Sequence, residues 1–319
     1  MPGKRLAICY DFDKTLAPDD MQAFTFIPSL GMASDDFWKA TNLLAVQHGM
    51  ERNLAWMRLM IEKAQEKNKS IKRAAFQALG QDVQLYQGVE EWFHLVDDYA
   101  KEKGLQVDHY IISSGLKEII EGSCIAHHFK RIYASSFYYG EDDSARWPAQ
   151  AVNYTNKTQY IFRIAKGALE ENDDAVNQSM PEDQLYVPYE NMIYIGDSET
   201  DIPCMRLVKS KGGISIGVFD PEKNNRRRVY ELFHDGRINF YAPADYRQDQ
   251  PLFHLMQKII DHIATRESLK EVSQEQKEMA EQFAAYAALK NALATANQEG
   301  EAPEELLSAL KEQVEGNID

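Results

Sequence analysis

The chain has 319 residues, enough for two domains at roughly 100–200 residues each. Hydrophobic residues make up 44% of it and aromatic residues 11%, which excludes a wholly disordered chain. Its 35 Lys and Arg residues against 50 Asp and Glu residues leave a net charge of −15, which argues against a nucleic-acid partner bound through a general basic surface.

The cysteine and hydropathy patterns are typical of a protein from a reducing compartment. Cys9, Cys124 and Cys204 are too few and too scattered for a disulfide framework, and no CxxC pair indicates structural zinc. No apolar run reaches the roughly 18–20 residues that span a bilayer. The short apolar stretch 6–10 ends in acidic residues, which a signal peptide does not do. We therefore expect a cytoplasmic protein with no membrane partner.

Short apolar runs alternate with helical patterns along much of the chain. A continuous apolar run is typical of a strand that is buried on both faces of a parallel sheet. Such runs occur at 6–10, 110–112, 132–134, 192–195 and 214–218. Helical patterns stand between the later runs, at 115–125, 157–169 and 202–208. The alternation predicts an α/β fold with a doubly wound parallel sheet.

A long interval between the first two predicted strands has a helical pattern instead. Ser34 is a candidate N-cap for a helix over 37–47, and Asn53 is one for a helix over 54–67. A third, amphipathic pattern over 89–104 ends at a glycine and can pack back on the sheet.

These patterns divide the chain into three parts. The helical interval is too long for a loop, so we predict an inserted all-helical domain over residues 19–105. The α/β core would comprise residues 1–18 and 106–265. The remaining residues, 266–319, are rich in Ala, Glu, Gln, Lys and Leu, which predicts a helical C-terminal extension.

Aspartates follow two of the predicted strands. Asp11 and Asp13 come directly after the first strand, and Asp197 and Asp201 come after the strand at 192–195. Ligands of open α/β sheets bind beyond the carboxyl ends of the strands. Two like charges 4 Å apart repel by about 4 kcal/mol at an effective dielectric near 20, so converging carboxylates need a cation. A small, hard divalent ion, Mg2+, suits carboxylates that share a site with a phosphate group.

Two simpler interpretations of these aspartates are weaker. A single aspartate after a strand is more often a helix N-cap, but two acidic strand ends in one α/β chain favour a shared site. The calcium loop of an EF-hand needs Gly at its sixth position and Glu at its twelfth, and here those positions are Leu16 and Gln22.

The motifs resemble those of the haloacid dehalogenase-like (HAD) phosphohydrolases. The segment 11–16, DFDKTL, matches the first motif of that family, DxDxT, and the segment 196–201, GDSETD, matches the fourth, GDxxxD. The strand end 111–115, IISSG, looks like the second motif, and Lys157 looks like the third. All four follow the family order between about residues 5 and 220. The insertion is similar to the family's helical cap in its phosphoserine-phosphatase-like arrangement, so the resemblance implies a HAD-type Rossmann-like core.

The resemblance implies roles for the four aspartates. Asp11 would be the nucleophile that forms an aspartyl-phosphate, and Asp13 would be the general acid and then the general base. The metal site for Mg2+ would comprise Asp11, the backbone carbonyl of Asp13, and Asp197 as a direct ligand. Asp201 would support that site from behind the ligands.

The resemblance also implies a set of phosphate-binding residues. Ser113, Ser114 and Thr15 would contact phosphoryl oxygens, although Ser113 could instead cap the following helix and Thr15 could be a turn hydroxyl.

Lys157 would neutralise charge between the nucleophile and the phosphate. If Lys157 were a solvated helix residue, Lys166 or Lys130 could supply that charge.

The expected function is therefore that of a Mg2+-dependent phosphatase acting on a small phosphorylated molecule. A phosphotransferase or phosphomutase has the same four motifs and stays a close alternative. From a different class, the chain could be a non-catalytic binding or regulatory protein. The helical extension could support a homo-oligomer or contact a partner.

Overall fold

The computed structural model of this chain describes residues 4–223 and 226–299. The chain divides into two compact units, Met1–Asp261 and His262–Asp319. The described part of the first unit is a sheet with helices, and that of the second unit is a continuous stretch of helix. The predicted helical extension is confirmed up to residue 299, and its residues 300–319 lie outside the described part of the chain.

One sheet lies at the centre of the first unit. Its strands are β1 (Arg5–Tyr10), β2 (Gln106–Leu116), β3 (Phe129–Tyr139), β4 (Ala145–Gln150), β5 (Met192–Gly196), β6 (Ile214–Phe219) and β7 (Phe240–Pro243). They lie in the order β4-β3-β2-β1-β5-β6-β7. Every neighbouring pair is parallel except β3 and β4. The chain thus builds the sheet outward from β1 on both sides, which confirms the predicted doubly wound α/β fold.

Helices stand between most of the strands along the chain and fill the predicted insertion. They are α1 (Met21–Phe24), α2 (Phe26–Ser29), α3 (Ser34–His48), α4 (Arg52–Glu66), α5 (Arg73–Leu79), α6 (Val89–Glu102), α7 (Lys117–Glu121), α8 (Thr158–Lys166), α9 (Ile202–Ser210), α10 (Arg226–His234) and α11 (Pro251–Glu299). Among the described residues, no helix combines the length and the apolar character that crossing a membrane would require.

The five predicted strands are all present, whereas the two edge strands were not predicted. In β4 the sequence ARWPAQ contains a proline and its residues are mostly exposed, so it lacks the apolar run of a buried strand. In β7 only four residues pair with the sheet, and the first two are exposed. Both strands pair on one side only, so neither has to be apolar on both faces.

The two predicted helix caps in the insertion are wrong. Ser34 lies inside α3, and the extended residue before that helix is Ala33. Asn53 lies inside α4, and Glu51 is the N-cap: its carboxylate accepts hydrogen bonds from the backbone N–H groups of Asn53 at 2.7 Å and Leu54 at 3.0 Å. A glutamate carboxylate can accept from these unpaired backbone N–H groups, just as the shorter side chains that usually cap helices do.

Helix α6 packs on the sheet, as its amphipathic pattern indicates. Its buried residue Trp92 donates an Nε1–H bond of 3.0 Å to the hydroxyl of Tyr10 on β1. The helix ends just before Gly104, which has a φ of +76°. That left-handed conformation costs glycine little and stops the helix. Helix α6 is therefore part of the layer that covers the sheet.

Candidate active site

The carboxyl ends of β1 and β5 meet at the centre of the sheet. Tyr10 and Ile195 are in register, and the backbone N–H of Asp11 donates a 2.9 Å bond to the carbonyl oxygen of Ile195. The chain leaves β1 towards one side of the sheet and β5 towards the other, which is the topological switch point where α/β sheets bind ligands. The first and fourth motifs therefore start side by side.

Three of the predicted carboxylates converge at this point. One oxygen each of Asp11, Asp197 and Asp201 lies within 4.8 Å of the other two. Asp11 is 5% exposed and Asp201 is fully buried. Taking several charges out of water at this distance is unfavourable unless a cation accompanies them.

Lys157 supplies one buried positive charge. Its Nζ atom lies 2.7 Å from Asp201 Oδ1 and 3.2 Å from Asp11 Oδ1, and its side chain is fully buried. Asp11 and Asp201 together raise the pKa of Lys157 above its ordinary value despite the opposing effect of burial. The residue ends a 3-10 turn directly before α8 and is buried there, so it is not a residue of a solvated helix face.

The two alternative lysines lie elsewhere. Lys130 Nζ is 2.8 Å from Asp108 near the amino ends of β2 and β3, at the opposite edge of the sheet. Lys166 Nζ donates two 2.6 Å bonds to the carbonyl oxygens of Val176 and Gln178. Of the three lysines, the structure brings only Lys157 to Asp11.

Asp201 is held entirely by the protein. Its Oδ1 atom accepts from Lys157 Nζ at 2.7 Å and from the Tyr194 hydroxyl at 2.8 Å. Its Oδ2 atom accepts from the backbone N–H and the hydroxyl of Ser198, both at 3.1 Å. A side chain at Gly196 would place a Cβ 2.7 Å from Asp201 Oδ2, so the glycine of this motif leaves space for the carboxylate. Both oxygens of Asp201 accept hydrogen bonds from the protein, which fits a residue that supports the metal site without binding the ion.

Asp197, unlike Asp201, has a carboxylate oxygen that is not hydrogen-bonded within the described part of the chain. Its Oδ1 atom is buried and has no hydrogen-bond partner among the described residues. Burial, then Asp201 and Asp11, raise the pKa of Asp197 well above its ordinary value. A buried carboxylate oxygen without a donor next to two further carboxylates fits a hard divalent cation such as Mg2+, which prefers oxygen ligands.

Asp13 lies against the first helix of the insertion. The backbone N–H of Met21, at the start of α1, donates a 2.8 Å bond to Asp13 Oδ1. A Cβ at Gly115 would lie 3.0 Å from Asp13 Oδ2 and 2.1 Å from Met21 Cε, so the glycine lets Asp13 and the end of the Met21 side chain approach the second motif closely. Burial, followed by Asp20 and Asp11, raises the pKa of Asp13 well above its ordinary value. This carboxyl group therefore keeps its proton more readily than an exposed one.

Burial also raises the pKa of Asp11. Burial and the charge of Asp201 raise its pKa to about 6, against the opposing effect of Lys157. The site carries more negative charge than its one buried lysine balances, which is the electrostatic condition for binding a cation.

The predicted phosphate-binding hydroxyls are all buried or half-buried. Ser113 Oγ accepts a 3.1 Å bond from the backbone N–H of Gly115, and Leu116 is the residue that precedes α7, so Ser113 does not cap that helix. Ser114 Oγ and Thr15 Oγ1 are buried without a hydrogen-bond partner among the described residues.

Sequence reasoning missed two residues that shape this edge. Asn53, at the start of α4, donates from Nδ2 to the carbonyl oxygens of Val152 at 2.9 Å and Ser114 at 3.4 Å, and to Ser135 Oγ at 3.2 Å. It thereby joins the insertion to the carboxyl end of β2, which carries the second motif. The other is Tyr194, which lies within an apolar strand and so carries no polar signal in the sequence.

Comparisons with known proteins find relatives by sequence and by fold. A protein of Borreliella burgdorferi, described as uncharacterized, is 25% identical over 279 residues, which cover 80% of this chain and 96% of that protein. A HAD family hydrolase from Salmonella enterica serovar Typhi has a TM-score of 0.51 and 17% identity, over 81% of this chain and 72% of that one. A probable phosphoserine phosphatase from Vibrio cholerae has a TM-score of 0.51 and 12% identity, over 83% of this chain and 67% of that one.

At these identities the solved structures show a shared fold. The match to a sequence family is more informative: residues 8–206, more than half of the chain, match the haloacid dehalogenase-like hydrolases and include the segments of all four motifs. The chain belongs to the haloacid dehalogenase-like hydrolase family.

Proposed function

We propose that this chain is a Mg2+-dependent phosphatase that hydrolyses a small phosphate monoester through an aspartyl-phosphate on Asp11. The observation that carries the proposal is the convergence of Asp11, Asp197 and Asp201 within 4.8 Å, with the buried ammonium group of Lys157 between two of them. Membership of a hydrolase family supports it.

The oxygen donors at this edge suit Mg2+. Asp11, Asp197 and the backbone carbonyl of Asp13 would hold the ion, and Asp201 would fix the motif behind them. When bound, the ion supplies positive charge that screens the attacking carboxylate from the phosphate.

Asp11 would attack the phosphorus atom, so that an O–P bond to Asp11 forms while the bond to the ester oxygen breaks. Lys157 would stay directed at Asp11 and the phosphoryl group, neutralising part of the charge between them. Ser113, Ser114 and Thr15 would provide the surrounding donors.

Asp13 would protonate the leaving ester oxygen. The direction in which its pKa is shifted suits this role, because a raised pKa makes a carboxyl group hold its proton more readily and so act as an acid. Having lost the proton, Asp13 would take one from water, which attacks phosphorus and breaks the bond to Asp11. The products are inorganic phosphate and free Asp11.

Within the helical insertion, residues 19–105, helices α1 to α5 would act as the cap of a core formed by residues 1–18 and 106–265, while α6 packs on the sheet. Asn53 and Met21 already bind the core beside the second motif and Asp13. A site covered by helices admits a small soluble ester more readily than a phosphoprotein.

The test is steady-state release of inorganic phosphate from an aryl phosphate and from a panel of phosphorylated metabolites, with and without Mg2+. We expect Mg2+-dependent turnover that falls at least about 1,000-fold in Asp11→Asn. Asp108→Asn is the matched control, because Asp108 is also a buried, ion-paired aspartate but lies at the opposite edge of the sheet. Turnover that persists in Asp11→Asn would overturn the proposal.

A further inference from the structure

Tyr194 lies outside all four motifs but contacts the site. It is fully buried on β5, and its hydroxyl lies 2.8 Å from Asp201 Oδ1. An ionised carboxylate can only accept, so the hydroxyl donates this bond. The same oxygen accepts from Lys157 Nζ at 2.7 Å.

This shared acceptor matters because Lys157 also faces Asp11. The ammonium lies 2.7 Å from Asp201 and 3.2 Å from Asp11, so the two carboxylates compete for it. A second donor on Asp201 Oδ1 offsets part of the negative charge on that oxygen and fixes its direction. Hydrogen bonds to charged groups in a low-dielectric interior are strong enough for this.

We propose that Tyr194 is a positioning residue whose hydroxyl holds Asp201 so that the ammonium group of Lys157 stays directed at Asp11. This inference rests on the proposed phosphatase function. Without the hydroxyl, Asp201 Oδ1 would carry more uncompensated negative charge and hold the Lys157 ammonium, already 2.7 Å away, more strongly, so Asp11 and the phosphoryl group would lose part of that charge.

The sheet offers two matched controls. Tyr133 on β3 is equally buried, and its hydroxyl donates a 2.9 Å bond to the carbonyl oxygen of Leu169, away from the site. Tyr110 on β2 is also fully buried, and its hydroxyl has no hydrogen-bond partner among the described residues. Replacing either tyrosine by Phe removes one buried hydroxyl group from the sheet, as Tyr194→Phe does.

The kinetic test compares Tyr194→Phe with Tyr133→Phe and Tyr110→Phe. We expect kcat to fall about tenfold in Tyr194→Phe, consistent with losing one hydrogen bond to a charged group, while KM stays within about twofold. The two controls should keep kcat within about twofold. In an Asp201→Asn background, adding Tyr194→Phe should cause no further loss. An unchanged kcat in Tyr194→Phe, or an equal loss in Tyr133→Phe, would overturn the inference.

A second readout does not require turnover. A 1H–15N spectrum of the lysine ammonium groups should contain a protected signal from buried Lys157, identified by its loss in Lys157→Arg. That signal should shift in Tyr194→Phe and stay in place in the two control variants. If the wild-type protein hydrolyses no phosphate ester, the proposed function fails, while the spectrum still tests the position of Lys157. An unmoved Lys157 signal in Tyr194→Phe contradicts the positioning role.

Discussion

Replacing Asp11 by Asn should stabilise the metal-free protein at pH 8 while abolishing its proposed activity. Asp11 and Asp201 flank one buried ammonium group, that of Lys157. When all three are ionised their net charge is −1, and Asp11→Asn brings it to zero. Removing a poorly compensated buried charge removes a cost of folding.

The pKa of Asp11 sets the size of this effect. Burial and Asp201 raise it from 3.8 to about 6, so the folded protein binds more protons than the unfolded chain between these two pH values. The contribution of protonated Asp11 to the free energy of unfolding is therefore fully present below about pH 4 and is lost as the pH rises to about 6. At about 1.36 kcal/mol for each tenfold change in proton affinity, the loss is at most about 3 kcal/mol.

The assay is urea unfolding in EDTA at pH values from 5 to 8. The free energy of unfolding of Asp11→Asn should exceed that of the wild-type protein by about 1–3 kcal/mol at pH 8, and by less at pH 5. Lys157→Met is the contrasting variant: it leaves two carboxylates without their cation and should cost about 3–5 kcal/mol. A destabilised Asp11→Asn protein at pH 8 would refute this account of the site's electrostatics.

Three further predictions concern the same edge of the sheet. Mg2+ should raise the midpoint of thermal unfolding more at pH 8 than at pH 5, because protons compete for its carboxylate ligands, and Asp197→Asn should abolish that rise. Asn53→Ala should lower the free energy of unfolding by about 1–3 kcal/mol in urea, since it leaves the buried carbonyl oxygen of Val152 without its donor; a change under about 0.5 kcal/mol would contradict this. Gly115→Ala should lower kcat at least about tenfold, because its Cβ would displace Met21 and Asp13; unchanged kinetics would show that the close approach is not required.

The centre of the fold was predictable because its strands are buried on both faces. A run such as Met192–Gly196 has to be apolar at every position, and that pattern is visible without any knowledge of its neighbours. The edge strands Ala145–Gln150 and Phe240–Pro243 pair with one strand each, are partly exposed, and carry no such pattern. Their pairing depends on the backbone hydrogen-bonding groups of their neighbours, β3 and β6, and not on their own sequence pattern.

The site was predictable to the extent that its residues stand in local motifs. Asp11 and Asp197 each follow an apolar run, but their proximity depends on β1 and β5 being neighbours, a fact of strand order rather than of either segment. The local sequence around Asn53 and Tyr194 gives no signal of a role in the site. Asn53 bonds to Val152, 99 positions away in the sequence, and Tyr194 has the pattern of a buried strand residue.

Asp11 and Asp201 show why two buried aspartates beside the same lysine can have different roles. Asp201 accepts four hydrogen bonds, from Lys157, Tyr194 and both donors of Ser198, which occupy about as many lone-pair directions as a carboxylate has. A carboxylate in that condition is fixed and unreactive. Among the described residues, Lys157 is the only side chain that pairs with Asp11, at the longer distance of 3.2 Å. An oxygen that still has free lone pairs is costly to bury, and it is also the one able to attack phosphorus.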